Sequence, residues 1–170
     1  MYWILKQNEK GYGDNLNDFE LEFEYAHSKI VSDPNSALDI LIRMEKIQPT
    51  ADIYHDIIYC YCEKGEYNSA EEYFYKYYKL EGKTGRLYHD YGYVLYCKKQ
   101  YELALKCFSK SLKLFPESWR TLLNLSLCYI SIDKVEMAEE TVKKAYAINK
   151  SIDILITYCI ILERQNKDVP

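Results

Sequence analysis

Few residues in this chain could do chemistry, and two sets of them echo one another. The only histidines among the 170 residues are His27, His55 and His89. Two of them stand in a repeated phrase, Tyr54-His55-Asp56-Ile57-Ile58-Tyr59 and Tyr88-His89-Asp90-Tyr91-Gly92-Tyr93, offset by 34 residues. A His beside an Asp can begin an acid–base pair, and two such pairs suggest a two-His, two-Asp metal site. Geometry disfavours the metal, because equivalent residues on stacked helices stand roughly 10 Å apart, too far to share one ion. Duplication of a repeat accounts for the echo without it. The cysteines Cys60, Cys62, Cys97, Cys107, Cys128 and Cys159 form no C-x-x-C pair. Cys60 and Cys62 would point about 200° apart on a helix, and no histidine completes a zinc set with them. Most of the six read as small core residues of a reducing compartment. Phosphate-cradling glycine loops, H-E-x-x-H and G-x-S-x-G do not occur in the sequence. The expectation is a protein that is not an enzyme, with no catalytic residue, no cofactor and no metal.

Composition narrows the class further. With 48% hydrophobic and 28% charged residues the chain can fill a continuous core. A formal net charge of -4, with acids and bases interspersed, disfavours nucleic acid, which needs a basic stripe. The pairs Lys98-Lys99 and Lys143-Lys144 are too short to make one. Tyr2-Trp3-Ile4-Leu5 is too short for a signal peptide, and no apolar run approaches the ~18 residues of a membrane span. A cytoplasmic protein with no membrane contact is expected. Six glycines and four prolines leave few breakers, which points to an all-α chain.

The elements that position these residues follow a period. Ala70, Ala104 and Ala138 are 34 residues apart. The same step relates Tyr67, Tyr101 and Val135, then Phe74, Phe108 and Val142, then Tyr54, Tyr88 and Leu122. Small residues at fixed offsets let helices approach closely, and aromatic ones fill the wedge between them. Pro116 ends one helix, and Ser118 stands where the next needs an N-cap.

This pattern resembles the tetratricopeptide-repeat (TPR) family. Tyr88, Tyr91, Gly92, Leu95, Tyr101, Ala104, Phe108, Leu112 and Pro116 fall on its signature positions. The resemblance implies an all-α solenoid of helix-turn-helix repeats wound as a right-handed superhelix. One domain is expected over 17–170, after an N-terminal extension over 1–16. Its repeats are a degenerate pair at 17–50, then 51–84, 85–118 and 119–152, with a capping helix over 153–165. Asn35 is expected to cap the helix that carries Ala37, and Ser151 or Asp153 the last one. Gly92 is expected to admit the preceding helix. Tyr77, where Ala is usual, should push the next pair outward. Lys99 and Asp133 replace the turn glycine that Gly65 keeps.

In the family, first helices line a concave groove. Carried over by register, the groove residues are His55, Asp56, Tyr59 and Cys62 in one unit, flanked by Asp52 and Glu63. The next contributes Arg86, His89, Asp90, Tyr93 and Tyr96, with Cys97, and the last Arg120, Asn124 and Leu127, with Leu123 and Ile130. Tyrosines offer rigid amphipathic surface. Arginines can fork onto a carboxylate or a carbonyl, and Asn124 can bracket a main-chain amide. The resemblance thus implies a module that holds a peptide segment of a partner protein, as a scaffold, adaptor or chaperone-like protein. The clamp that holds acidic chaperone tails uses Lys and Asn, and Asp90 would repel a carboxylate, so that ligand is not expected. Two alternatives stand beside this reading. One is self-association into a homo-oligomer through the apolar C-terminal helix or the N-terminal extension. The other is a small secretion chaperone, which the length, acidic balance and repeat plan resemble.

Overall fold

The computed structural model describes residues 18–167. The extension expected over 1–16, with its apolar stretch Tyr2 to Leu5, lies outside the described residues. Among those described, nine helices follow one another without a strand: α1 Asp18–Lys29, α2 Pro34–Ile47, α3 Ala51–Glu63, α4 Tyr67–Glu81, α5 Gly85–Cys97, α6 Tyr101–Leu114, α7 Trp119–Ser131, α8 Val135–Ile148 and α9 Ile152–Lys167. Each helix packs on the next, and α3, α5, α7 and α9 also touch in sequence. Contacts that reach only near neighbours make this an all-α repeat solenoid.

Local chemistry sets the boundaries. The first helix of three units starts on a hydroxyl cap. Thr50 Oγ1 accepts from Ile53 N at 3.2 Å, Thr84 Oγ1 from Leu87 N at 3.1 Å, and Ser118 Oγ from Thr121 N at 3.3 Å. These caps satisfy helix-start donors that would otherwise be orphaned. In the N-terminal pair Asp33, not Asn35, is the cap. Its Oδ1 accepts from Ser36 N at 3.2 Å, and Pro34 takes the first helical position, where it needs no donor. Before α9, Ser151 stands in the cap position and its carbonyl accepts from Leu155 N, yet its hydroxyl has no partner. Asp153 lies inside the first turn of α9.

Within each of these three units the first helix leaves through a tight turn. Glu66, Gln100 and Lys134 donate their N–H groups back to Tyr61, Leu95 and Tyr129 at 2.8 to 2.9 Å. This six-residue closure needs a left-handed residue. Gly65 supplies it at φ 73°, while Lys99 and Asp133 adopt φ 59° and 58°. The turn geometry therefore overrides the residue preference at two of the three sites.

Packing follows the small-and-aromatic pattern, with two differences from expectation. Ala70, Ala104 and Ala138 are fully buried. A Cβ on Gly92 would stand 2.6 Å from the Phe108 ring, so Gly92 admits the second helix of its own pair rather than the preceding helix. Tyr77 is wholly enclosed, its ring centroid 6.5 Å from that of Tyr54. Helices α4 and α5 pack less extensively than α2 with α3 or α6 with α7, as a bulky residue at a close-approach position requires. On α9, Ile154 and Ile161 are buried while Ile152 and Ile156 remain 66% and 52% exposed. No helix among the described residues is long and apolar enough to cross a membrane.

The two non-glycine left-handed residues carry a measurable cost. Left-handed backbone costs an L-residue about 1 kcal/mol or more. Lys99→Gly and Asp133→Gly should therefore each raise the urea midpoint, by about 0.5–1 kcal/mol in unfolding free energy after the glycine's added chain entropy is subtracted. Gly82 adopts φ 72° with ψ -150°, a region essentially reserved for glycine, so Gly82→Ala should destabilise.

Candidate functional site

The first helices α3, α5 and α7 lie side by side, and each His-Asp dipeptide joins two boundaries. Adjacent positions on a helix point about 100° apart. Asp56 turns back toward α1, where His27 Nδ1 donates to its Oδ2 at 2.8 Å. His55 turns forward, and its Nδ1 donates to Asp90 Oδ1 on α5 at 2.9 Å. His89 repeats the forward reach to α7, with Nδ1 2.9 Å from Thr121 Oγ1. Its other nitrogen, Nε2, lies 3.1 Å from the Tyr59 hydroxyl. The echoed histidines thus bind not each other but the next helix along.

This seam is dry. Asp56 and Asp90 are 1% and 0% exposed, and His89 is 7% exposed. Asp90 Oδ2 has no hydrogen-bond partner. Burial, helped by the nearby charges of His55, Arg120 and Arg86, brings the His89 imidazole down to about 4 against the pull of Asp90. It is neutral at pH 7, so one ring nitrogen donates and the other accepts. The hydrogen bond to Asp56 instead raises His27, against desolvation. Burial and the Asp90 carboxylate hold the Tyr59 hydroxyl well above the usual phenol range.

Aromatic rings extend the seam. Tyr59 stacks on Tyr93 with centroids 4.4 Å apart and planes 7° from parallel, and His55 tilts against Tyr59 at 4.6 Å. The Tyr93 hydroxyl donates to Glu63 Oε1 at 3.1 Å. At the rim Arg86 pairs with Asp52 across the same boundary. On α7 the Arg120 guanidinium lies 4.7 Å from the Trp119 ring centre.

The structure therefore divides the residues assigned to the groove by register. Asp56, Cys62, His89 and Asp90 are buried between helices, as is Ile130. Their side chains hold the repeats together rather than face solvent. His55, Tyr59, Tyr93, Tyr96, Arg120, Asn124 and Leu127 are half-buried, and Arg86 is exposed. Sequence reasoning missed Thr121, fully buried and bonded to His89, and His27, which closes the N-terminal link. A signal for both existed: the bonded partners lie 29, 35 and 32 residues apart, close to the repeat length. Among the described residues no three His, Cys, Asp or Glu side chains come together to hold a metal ion.

The two unusual histidines act on stability in opposite directions. His27 is raised, so its contribution is complete below an unfolded value near 6.5 and fades as pH rises through its folded value. His89 is lowered to about 4, so the unfolded chain gains its proton first and stability falls between pH 6.5 and 4. The His89 loss should amount to about 3 kcal/mol over that interval, at 1.36 kcal/mol per pH unit. Urea midpoints measured across this range should drop more steeply for the wild-type chain than for His89→Asn, which keeps hydrogen bonding without the titration. Equal slopes would show that His89 does not stay neutral in the fold.

With the geometry in place, comparison with known proteins is informative. Residues 85–118 and 120–152 each match a tetratricopeptide-repeat family model. A TPR protein of Thermus thermophilus superposes with a TM-score of 0.76 at 18% identity, over 93% of this chain and 84% of that one. The pilF protein of Pseudomonas aeruginosa gives 0.68 at 21% identity, over 88% and 69%. YrrB, described as a TPR protein with an unusual peptide-binding site, gives 0.55 at 16% identity, over 87% and 78%. A search of curated protein sequences found no match. At these identities the likeness to solved structures is one of fold.

Proposed function

We infer that this chain, which belongs to the tetratricopeptide-repeat family, is a non-enzymatic protein–protein interaction module that holds a peptide segment of a partner on the face formed by α3, α5 and α7. The observation that carries the reading is the composition of what the seam leaves accessible there. Tyr93, Tyr96, Arg120, Leu123, Asn124 and Leu127 are all half-buried, on adjacent first helices. Such a surface combines aromatic area, an amide and an aliphatic patch, the mixture that binds an extended or helical segment. A scaffold, adaptor or chaperone-like role follows from it.

The test separates binding from folding. Tyr96, Asn124 and Leu127 take no part in the histidine seam, so Tyr96→Ala with Asn124→Ala should leave helical content by circular dichroism unchanged. A partner captured with the wild-type chain, and its segment mapped with overlapping peptides, should bind the double variant at least tenfold more weakly, the loss expected of two central contacts. Undiminished binding to a folded variant would remove the groove from the reading.

A second reading rests on α9. Ile152, Leu155, Ile156, Ile160 and Leu162 are 39% to 66% exposed on one helix, an unusual apolar display for a surface. A homo-oligomer contact there predicts a dimer by light scattering that Ile156→Glu with Ile160→Glu converts to monomer. Ile161 is unsuitable for this purpose, since it is fully buried and a charge there would unfold the helix.

A further inference from the structure

Two turns beyond the His55–Asp90 bond, α3 and α5 meet again through a pair of thiols. Cys62 follows His55 by seven residues, and Cys97 follows Asp90 by seven. Seven residues are about two helical turns, which returns each side chain to nearly the same face. Contacts on either side confirm that the helices stay together along this stretch: Tyr59 stacks on Tyr93 at 4.4 Å, and Tyr93 donates to Glu63 at 3.1 Å. The register therefore carries the Cys62 and Cys97 side chains to one point of this boundary, each the largest influence on the other's thiol. Both are free thiols, Cys62 buried and Cys97 half-buried. Nothing in the partner-binding reading uses them.

We propose that Cys62 and Cys97 form a thiol–disulfide exchange site whose oxidation ties α3 to α5 across the boundary between two repeats. The pair divides the two roles such exchange requires. The neighbouring Cys62 holds the Cys97 thiol below its usual range against burial. The same pairing, with burial, pushes Cys62 well above that range. The thiolate is the attacking species. Cys97 is the half-buried member that a small disulfide can reach while Cys62 is buried, so Cys97 attacks and Cys62 resolves. The co-reactant is a low-molecular-weight disulfide such as oxidised glutathione. Cys97 Sγ⁻ attacks one of its sulfurs, the small disulfide bond breaks, and one glutathione thiolate leaves. Cys62 then loses its proton and attacks Cys97 Sγ. The mixed disulfide breaks, and the second glutathione departs as a thiolate that takes up the proton. Two protein thiols are oxidised and one small disulfide is reduced to two thiols. The product closes the loop 62–97 and fixes the junction that carries the Tyr59–Tyr93 stack.

The experiment is thiol mapping of the full chain in glutathione buffers of graded oxidised-to-reduced ratio, quenched by alkylation and read by intact and tryptic mass. The expected product is a cross-link between the tryptic peptides 47–64 and 87–98, with the loss of two alkylatable thiols. Peptide 47–64 also holds Cys60, so Cys60→Ser should retain the cross-link. Cys62→Ser should halt at a glutathione adduct on Cys97, and Cys97→Ser should give neither adduct nor cross-link. Circular dichroism confirms that each variant is folded. A Cys97 adduct that accumulates equally in the wild-type chain and Cys62→Ser overturns the proposal. So does a cross-link that survives Cys62→Ser, or oxidation confined to Cys107 and Cys159.

Discussion

The contact on which the rest depends is the one between a histidine and the first helix that follows it. A solenoid has no distant contacts to fix the angle between its repeats, so each boundary must be set by its own neighbours. Here three successive boundaries are crossed by hydrogen bonds from His27, His55 and His89. Apolar packing alone tolerates small slides between helices. A hydrogen bond at 2.8 to 2.9 Å to a buried carboxylate or hydroxyl does not, because a slide strands that buried partner. The His-Asp dipeptide does this economically. One residue reaches back and its neighbour reaches forward, so α3 and α5 each carry one half of two joints.

Such a seam specifies geometry at some expense in stability. A buried carboxylate must recover the hydration it loses, and Asp90 does so through one oxygen only, leaving Oδ2 unpaired. Well-packed apolar residues in the same places could give equal or greater stability. What they would not give is a unique register between helices whose first-helix faces are otherwise similar. Tyr77 shows the need for one. It holds α4 and α5 apart where other units close on alanine-sized residues, and the His55–Asp90 bond spans that same boundary. The loosest apolar junction coincides with a hydrogen-bonded polar one.

The fold was legible in the sequence because it depends on recurrence. The alanines and aromatics 34 residues apart mark which side chains must be small or large, and the structure buries Ala70, Ala104, Ala138 and Phe108 accordingly. Hydroxyl caps at Thr50, Thr84 and Ser118 keep the same step. The candidate site was legible only in part. The echo of His55-Asp56 in His89-Asp90 was visible, but a repeat period says which residues are equivalent, not which are in contact. Contact across a boundary adds an offset set by the tilt between helices, and the observed separation of 35 for His55 and Asp90 is one more than the period. The period also cannot distinguish a residue facing the groove from one facing the next helix, since the two directions differ by about one residue, or 100°, on the same helix. That is why Asp56, His89 and Asp90 lie inside the seam rather than on the surface.

This distinction bears on where a partner can bind. A group already bonded inside the protein has little to offer a ligand, because a new contact must first replace an existing one. The His-Asp links run from α1 to α5 and their last member ends on Thr121. Beyond that point the equivalent pair is Leu123-Asn124, and the face gains Leu127 on the same helix. The N-terminal part of the face therefore acts as a braced wall, and the α5–α7 part offers amide and aliphatic groups outside the histidine links. Rigid support beside an accommodating surface lowers the entropic cost of ordering a peptide, since the receptor does not have to order with it. On the proposed peptide-binding reading, the histidine seam contributes to recognition without touching the ligand, by holding the angle at which the tyrosines and Asn124 meet it.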